Sequence, residues 1–340
     1  MKTHTVAAIA AGRTDASANA FAAATNRAVA LLRKGECVAL PTETVYGLAA
    51  DALNAEAVAK IFEVKSRPRL DPLIVHVPNR DWLERVARVP DLDRSLIEKL
   101  IGRFWPGPLT IVLPRRFIVP DIVTGGHETI AVRMSSHPTF SEIIGAFGLP
   151  LAAPSANRFG RISPTTAQHV LDELRTRIPL IVDGGPTKLG IESTIVTVGG
   201  GKITILRRGP ITQEELSDHA KIEIDTSGKT VTPGQLATHY APKTSLQLIK
   251  KTKDFVPPKN QRVGLLAWNP VKNANQYAAI RQLSKRRHLR DAAVNLFRCL
   301  RELDHLGLDL IVAEQLPEHG LGAAIMDRLR RAAGRGDSAQ

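Results

Sequence analysis

The chain has 340 residues, of which 43% are hydrophobic and 23% charged, so it is long enough for two folded domains and typical of a globular protein. Its formal net charge of +13 favours anionic partners such as a nucleotide, pyrophosphate, RNA or a membrane surface. Only two cysteines occur, which excludes a disulfide framework and favours a reducing compartment. No apolar run reaches transmembrane length and the N-terminus lacks a signal-peptide core, so we expect a cytoplasmic protein without a membrane partner.

The first part of the chain predicts a flexible N-terminal tail, residues 1–23, and then a helix at 27–34. The stretch 41–77 predicts a polar turn, a helix capped by Asn54 and a second strand, after a buried strand at 37–41. That helix must end before Pro68, because the residue before a proline avoids the helical region.

Apolar periodicity and turn residues predict further elements up to residue 207. The helices lie near 81–87, 92–101 and 139–147, the second closed by Gly102, and another is opened by Ser163-Pro164. The strands are 109–113, 129–134, an apolar run from 151, and 180–182, followed by a hairpin of 193–198 with 202–207. The alternation of strands and helices with a terminal hairpin predicts an α/β domain on a mixed sheet.

Polar groups lie at the ends of these elements. Lys65 and Arg67 end the first helix of the 41–77 stretch, and His76 interrupts an otherwise aliphatic strand, which suits a phosphate-bearing ligand. A solvated helix end explains them equally well. Ser155 and Asn157 follow an apolar strand, where ordinary turn and cap chemistry is the simpler explanation. Strand-end arginines, here Arg133 and Arg207, are more often surface ion pairs than ligand clamps.

The sequence changes character near residue 212. Residues 232–242 are proline-flanked and aperiodic, which predicts a linker. Strands at 246–249, 263–268 and 308–313 and helices near 290–306 and 321–332 then predict a small Rossmann-like α/β domain. Basic residues cluster at 285–290 and at 328–331, and both clusters are typical of solvated helix faces. An RNA footprint is the alternative, but no aromatic residues are interleaved with these charges to support it.

Several motifs together resemble the YrdC/Sua5 family of threonylcarbamoyl-AMP synthases, in its long, Sua5-type form. They are PTETVYGL, KSRP, DPLIVHV, SAN, STIV, ILRRG and TPGQLATHYAP. The resemblance implies a YrdC-like mixed twisted sheet domain at 24–212, a linker or lid at 213–244 and a second, smaller Rossmann-like α/β domain of Sua5 type at 245–340.

The resemblance also implies an activity. L-Threonine, bicarbonate and ATP, which carries Mg²⁺, would give threonylcarbamoyl-AMP and pyrophosphate, with no metal bound by the protein. The product would supply N6-threonylcarbamoyladenosine (t6A) at position 37 of tRNAs that read ANN codons, with tRNA or t6A-transferase proteins as further partners. No P-loop, dinucleotide-binding, zinc-protease or nucleophile-elbow motif is present, so ATP would need a different cradle.

The family pattern assigns site residues by position. Lys65 and Arg67 would be catalytic. The expected ATP-binding residues are Lys65, Arg67, Asp71, Thr129, Ser155, Asn157, Ser163, Arg207 and Tyr240. The expected threonine-binding residues are Thr44, His76, Arg133, Ala153 and Ser193, with Arg133 on the substrate carboxylate.

Three positions depart from the family pattern. Asp71 stands where asparagine is common, and its carboxylate would repel phosphates unless Arg67 or Arg69 neutralises it. Ser66 replaces a glycine and Arg208 a proline.

We further hypothesise that residues 232–242 close over the loaded site with Tyr240 on the nucleotide; a passive tether is the alternative. The competing function class is a non-catalytic, basic RNA-binding protein.

Overall fold

The structure, a computed structural model, describes residues 2–8, 15–225 and 240–334. The chain divides into two compact units. The first comprises residues 1–159, 164–188 and 192–235, and the second comprises 160–163, 189–191 and 236–340. Two short segments, 160–163 and 189–191, therefore group with the second unit, although the predicted division assigned them to the first domain.

A mixed sheet of eleven strands forms the first unit within the described residues. In chain order the strands are β1 (His4–Ala7), β2 (Val38–Leu40), β3 (Gly47–Asp51), β4 (Ile74–His76), β5 (Leu109–Pro114), β6 (Thr129–Arg133), β7 (Leu151–Ala152), β8 (Leu180–Asp183), β9 (Thr194–Gly199), β10 (Lys202–Arg207) and β11 (Lys221–Ile224). Their order across the sheet is β1-β8-β2-β3-β7-β4-β6-β5-β9-β10-β11. The sheet contains parallel pairs such as β4–β6 and antiparallel pairs such as β5–β6, so the predicted mixed sheet is confirmed.

Helices cover both faces of this sheet. They are α1 (Asp15–Arg33), α2 (Ala55–Lys65), α3 (Leu83–Val86), α4 (Arg94–Phe104), α5 (Asp121–Thr124), α6 (Pro138–Phe147), α7 (Ala167–Leu174) and α8 (Gln213–Ser217). Strand β2 shows the two-sided burial directly, because Ala39 joins one apolar cluster while Val38 and Leu40 join another. Alternate residues of a strand point to opposite faces, so both clusters are needed to cover it.

The predicted boundaries of α2 are confirmed. The Asn54 side chain accepts hydrogen bonds from the backbone N–H groups of Glu56 and Ala57, which satisfies the first turn. The helix ends at Lys65, and Ser66 takes the left-handed conformation with φ of 53° ahead of Pro68. Lys65 is thus the last residue of α2, and Arg67 follows it directly after the left-handed Ser66.

Three local predictions are wrong. Gly102 does not close α4, because the apolar face continues through it to buried Phe104. Ser163-Pro164 does not open a helix; α7 begins at Ala167, where the Thr166 side chain accepts from the His169 N–H. The predicted flexible tail contains β1, which pairs in parallel with β8, and the start of α1.

The second unit has a four-stranded parallel sheet in the described residues. Its strands are β12 (Ser245–Ile249), β13 (Val263–Ala267), β14 (Ala279–Gln282) and β15 (Leu310–Glu314), in the order β12-β15-β13-β14. Its helices are α9 (Leu289–Asp304) and α10 (Leu321–Ala333). The parallel strands and intervening helices confirm the predicted smaller α/β domain; β14 was not predicted.

The first part of the predicted linker or lid at 213–244 is instead folded, because it forms α8 and then β11, which pairs with β10. Residues 226–239 lie outside the described residues, which resume at Tyr240. The hypothesis of a closing segment at 232–242 therefore stays a prediction. Among the helices that the structure describes, none has the length and apolar character needed to cross a bilayer.

Candidate active site

Strand register in the first unit aligns predicted site residues in one row. His76 on β4 pairs with Arg133 on β6, and Arg133 pairs with Thr110 on β5. Thr110 pairs with Ile195 on β9, which pairs with Arg207 on β10. Because residues directly opposite on neighbouring strands share a face, His76, Arg133 and Thr110 lie side by side.

Arg133 is held by three groups from two loops. Its Nη2 lies 2.7 Å from Glu43 Oε1 and donates to Thr44 Oγ1 at 3.1 Å, while its Nε donates to the Gly107 carbonyl at 3.3 Å. Arg133 is 3% exposed and Glu43 5%, so the pair is shielded from water. Arg133 is therefore not an ordinary surface ion pair, and its expected role in threonine binding stays a prediction.

Glu43 is a residue that sequence reasoning missed. Burial opposes its ionisation, but the Arg133 charge and hydrogen bonds from Ser135 and Arg133 outweigh burial, so the pKa of Glu43 lies below its usual value. The Ser135 hydroxyl donates to Glu43 Oε2 at 2.5 Å. The signal in the sequence was the acidic residue between the two threonines of the PTET motif. A carboxylate in a buried segment needs a partner of opposite charge, so its presence there could have predicted an ion pair.

The loop before β3 is fixed by its own threonines. Thr42 Oγ1 accepts from the backbone N–H groups of Thr44 and Val45 at 3.1 and 3.2 Å, and its hydroxyl lies 2.8 Å from that of Thr44. These bonds set the position of the Thr44 hydroxyl that Arg133 contacts. The turn is therefore part of the site scaffold.

His76 is a buried neutral imidazole. Burial and the nearby Arg133 charge lower its pKa from 6.5 to about 3. Its ring lies 4.7 Å from that of Phe140, tilted by 44°. Within the described part of the chain its Nδ1 has no hydrogen-bond partner, so the imidazole retains a polar atom that a ligand can satisfy.

Ser193 lies between Thr110, which is opposite Arg133 in the sheet, and a second arginine, Arg207. Its hydroxyl lies 2.8 Å from that of Thr110 and accepts from Arg207 Nη2 at 3.0 Å, and the Ser193 carbonyl accepts from Arg207 Nε at 3.1 Å. Thr110 was also missed; the signal was one hydroxyl in the aliphatic strand LTIVL. Arg207, 6% exposed, is likewise no surface residue.

Lys65 points into the protein and binds the SAN segment through its backbone. Its Nζ donates to the carbonyls of Ser155 and Asn157 at 2.5 and 2.6 Å. Burial and the neighbouring Arg67 charge lower the pKa of Lys65 well below its usual value. The solvated helix end that the sequence left open is therefore wrong for this lysine.

Arg67 neutralises Asp71. An aspartate at this position needs such a partner, because it would otherwise repel phosphates. Their side chains form a buried ion pair of 2.9 Å, and Arg67 also donates to the carbonyls of Asp71 and Pro72. Burial raises the pKa of Asp71, and the positive charges of Arg67, Lys65 and Arg207 oppose that rise. Asp71 is thus paired with Arg67, whereas Arg69 is exposed.

The remaining predicted residues are distributed as follows. Thr129 begins β6, four residues and about 13 Å from Arg133 along the strand, opposite Pro114. The N–H of Ala153 donates to the carbonyl of Ile74 at 3.0 Å. Ser163 and Tyr240 belong to the second unit, where Tyr240 stacks on Phe297 with 5.6 Å between ring centroids.

The described residues contain no group of three or more His, Cys, Asp or Glu side chains placed to hold a metal ion. The first unit instead offers a buried arginine among hydroxyls and an imidazole, adjoining three cations. Such a pair of subsites suits a small carboxylic acid beside a phosphate-bearing molecule. Fold and site thus define an α/β protein with a small-molecule anion site at strand ends and a second α/β unit.

Comparison with known proteins identifies the family. Residues 30–209 match the Sua5/YciO/YrdC family, described as "Telomere recombination", and residues 211–334 match the family described as "Threonylcarbamoyl-AMP synthase, C-terminal domain". The chain belongs to the Sua5/YciO/YrdC family, in the form that carries the Sua5 C-terminal domain.

Individual relatives extend over nearly the whole chain. The threonylcarbamoyl-AMP synthase of Bacillus subtilis is 41% identical over 330 residues, covering 91% of this chain and 92% of the relative. That of Pyrococcus abyssi is 38% identical over 325 residues, covering 90% and 93%. The crystal structure of P. abyssi Sua5 with L-threonine matches with a TM-score of 0.83 at 34% identity, covering 98% of each chain.

Proposed function

We propose that this chain is a threonylcarbamoyl-AMP synthase, a nucleotidyltransferase that makes threonylcarbamoyl-AMP and pyrophosphate from L-threonine, bicarbonate and ATP. The observation that carries the proposal is the link from Thr110 through the Ser193 hydroxyl to Arg207. Thr110 lies opposite Arg133 in the sheet, so the Arg133 subsite and the cationic one are neighbours. The similarity to P. abyssi Sua5, a protein crystallised with L-threonine, supports it along the whole chain.

In the proposed complex the Arg133 subsite holds threonine. Arg133 binds the substrate carboxylate, and Thr44, Ser193 and neutral His76 surround the amino acid. A carboxylate needs a fixed, charged fork, and Arg133 already has its Nε and Nη2 anchored on Gly107, Thr44 and Glu43. This arrangement leaves little rearrangement for binding.

The second subsite, with Lys65, Arg67 and Arg207, holds the phosphates of ATP. The amine of threonine and bicarbonate first form a carbamate with loss of water. An oxygen of this carbamate attacks the α-phosphorus; a new P–O bond forms as the bond from the α-phosphorus to the bridging oxygen breaks, and pyrophosphate leaves. The three cations stabilise charge on the transferring group and on pyrophosphate. Phosphate binding would also raise the lowered pKa of Lys65 by supplying a counter-charge.

This displacement needs no covalent nucleophile from the protein. Burial raises the pKa of Cys37 to about 12 and of Cys299 to about 11, so both thiols stay protonated at neutral pH. Magnesium would arrive with ATP as part of the substrate. The product would then supply a transferase that attaches the threonylcarbamoyl group to adenosine 37 of ANN-reading tRNAs.

The test is synthesis from the small substrates alone. Purified protein with L-threonine, bicarbonate, ATP and Mg²⁺, and no RNA, should release pyrophosphate and form threonylcarbamoyl-AMP, detected by mass spectrometry. Omission of threonine or bicarbonate should abolish product. Absence of product in the complete mixture would refute the proposal.

Lys65→Ala provides the residue-level test, with Lys60→Ala on the same helix as control. Lys60 is half-exposed and pairs with Glu36 at 2.8 Å. Lys65→Ala should lower product formation at least 100-fold, and Lys60→Ala should leave it within twofold. Because Lys65→Ala also leaves two buried carbonyls without a donor, its melting temperature should fall; threonine binding by calorimetry shows that the site is still folded.

A further inference from the structure

The positive charge of the chain is concentrated in its C-terminal part. Residues 241–340 contain 18 Lys and Arg against 9 Asp and Glu, a net charge of +9, whereas residues 1–240 contain 28 against 24, a net charge of +4. Such an asymmetry is typical of a region that meets a polyanion. Much of this charge is paired: Arg281 and Arg298 bind Glu302, and Arg330 binds Glu318.

Four cations lie close together in the sequence of the second unit, between β14 and the first turn of α9. Lys285, Arg286, Arg287 and Arg290 lie in the segment that joins β14 to α9 and in its first turn, and all four are exposed. None of them has an ion pair with any residue that the structure describes. We call these four residues the basic loop. Because none of the four is neutralised by an ion pair of its own among the described residues, an anion bound there is stabilised by all four.

The acidic residue beside the basic loop is already engaged. Asp291 Oδ2 accepts from the Ser284 hydroxyl at 3.2 Å and lies 3.7 Å from His288 Nδ1. The Ser284 hydroxyl in turn accepts from the His288 N–H at 3.0 Å. Asp291 therefore stabilises the turn into α9 and offsets only part of the local charge.

A cavity of about 470 Å³ opens beside the basic loop, entirely within the second unit. Lys285, Arg286 and Arg298 contribute three cations to its wall, against the single acid Asp291. The cavity lies where β14 ends at Gln282 and α9 begins. In parallel α/β sheets the carboxyl ends of the strands are where ligands bind.

We propose that the basic loop and this cavity bind the phosphodiester backbone of RNA. Lys285 and Arg286 reach one phosphate in the cavity, while Arg287 and Arg290, which are not part of its wall, meet the neighbouring phosphates. No aromatic side chain lines the cavity, so the contacts are to phosphates rather than to stacked bases. Binding is accordingly independent of sequence and sensitive to salt. The inference does not depend on the synthase activity.

The test measures RNA affinity with the full-length protein. A fluorescein-labelled, single-stranded 20-nucleotide RNA is titrated by anisotropy between 50 and 200 mM KCl. With four phosphate contacts, a plot of the logarithm of the association constant against the logarithm of the salt concentration should have a slope of about −3. The triple variant Arg286→Glu, Arg287→Glu, Arg290→Glu should bind at least tenfold more weakly with a shallower slope.

The matched control is Lys250→Glu, Lys251→Glu, Lys253→Glu. These lysines are exposed in the same unit, after the opposite edge strand β12, and the variant has the same change in net charge. It should retain RNA affinity within threefold. Both variants should keep the circular dichroism spectrum and melting temperature of the wild type, which shows that they are folded.

Three results would overturn the proposal. The wild-type protein could fail to bind the RNA, or the two triple variants could lose affinity equally, which would reduce the effect to net charge. Alternatively, 1 mM AMP or pyrophosphate could displace the RNA fully at constant ionic strength. The same compound would then bind the wild-type protein but not the basic-loop variant. That last result would assign the cavity to a small phosphate compound.

Discussion

Arg133 and Glu43 form a buried ion pair, with 2.7 Å between Nη2 of the arginine and Oε1 of the glutamate. They come from the end of β6 and from the loop before β3, and Ser135 fixes the far oxygen of the same carboxylate. The glutamate thus orients the guanidinium proposed to hold the substrate carboxylate.

Glu43→Gln should destabilise the protein by about 3–5 kcal/mol, because it leaves the Arg133 charge buried without a counter-charge. Urea unfolding measures this loss. Glu128→Gln is the control, since the exposed Glu128 lies 3.8 Å from Arg115 and should cost less than about 0.5 kcal/mol. Similar small losses in both variants would contradict a structural role for the Glu43 charge.

Arg133→Lys should raise the KM for threonine at least tenfold and change that for ATP less than threefold. Lysine keeps the charge, but it cannot contact Gly107, Thr44 and Glu43 with separate nitrogens while holding a carboxylate. Steady-state kinetics at saturating co-substrates separate the two constants. Arg115→Lys, at an arginine paired with Asp121 at 2.6 Å, should alter neither. Equal increases for both substrates would argue against this assignment.

The buried His76 should make stability depend on pH. Its folded pKa of about 3 lies below the ordinary 6.5, so the unfolded chain binds the proton first. The contribution is complete above pH 6.5 and is lost as pH falls towards 3. Between pH 7.5 and 5 wild type should therefore lose about 2 kcal/mol more than His76→Asn, measured by urea unfolding at each pH. Parallel pH profiles would contradict a neutral buried imidazole.

Ser66→Gly should stabilise the protein by about 1 kcal/mol. Ser66 sits at φ of 53°, where a side chain is strained and glycine is not. Thermal unfolding gives the comparison, and Ser66→Ala, which retains a Cβ, should show no gain. A gain with alanine would assign the effect to the hydroxyl instead of the backbone.

Gly209→Ala should impair synthesis by displacing Ser193. A Cβ at Gly209 would lie 2.4 Å from the Thr194 nitrogen and 2.6 Å from the Ser193 carbonyl carbon, so the backbone that aims the Ser193 hydroxyl must shift. We expect at least a tenfold loss of kcat/KM. Gly199→Ala, at the end of β9 with no atom within 4 Å of the added Cβ, should be neutral. Equal rates in both would show that Ser193 tolerates the shift.

Local signals carried much of the sequence prediction. Asn54 and Pro68 bound α2 because a cap and a proline act within a few residues. The family motifs gave the site list, including Lys65, Arg133 and Arg207. Strands β1, β3, β11 and β14 were missed, because short or alanine-rich segments gain their strand conformation from the neighbours they pair with.

The sequence by itself determined the family pattern, the two α/β domains and the cationic residues at strand ends. Only the tertiary structure decided which of these meet: Thr110 reaches Ser193 across 83 residues, and Lys65 reaches the Ser155 carbonyl across 90. Glu43 gained its role in the same way, through Arg133. The physical reason is that burial of both faces of the sheet fixes the register between strands that are distant in sequence. That register decides which groups lie next to a buried charge, and the charge must pair with one of them.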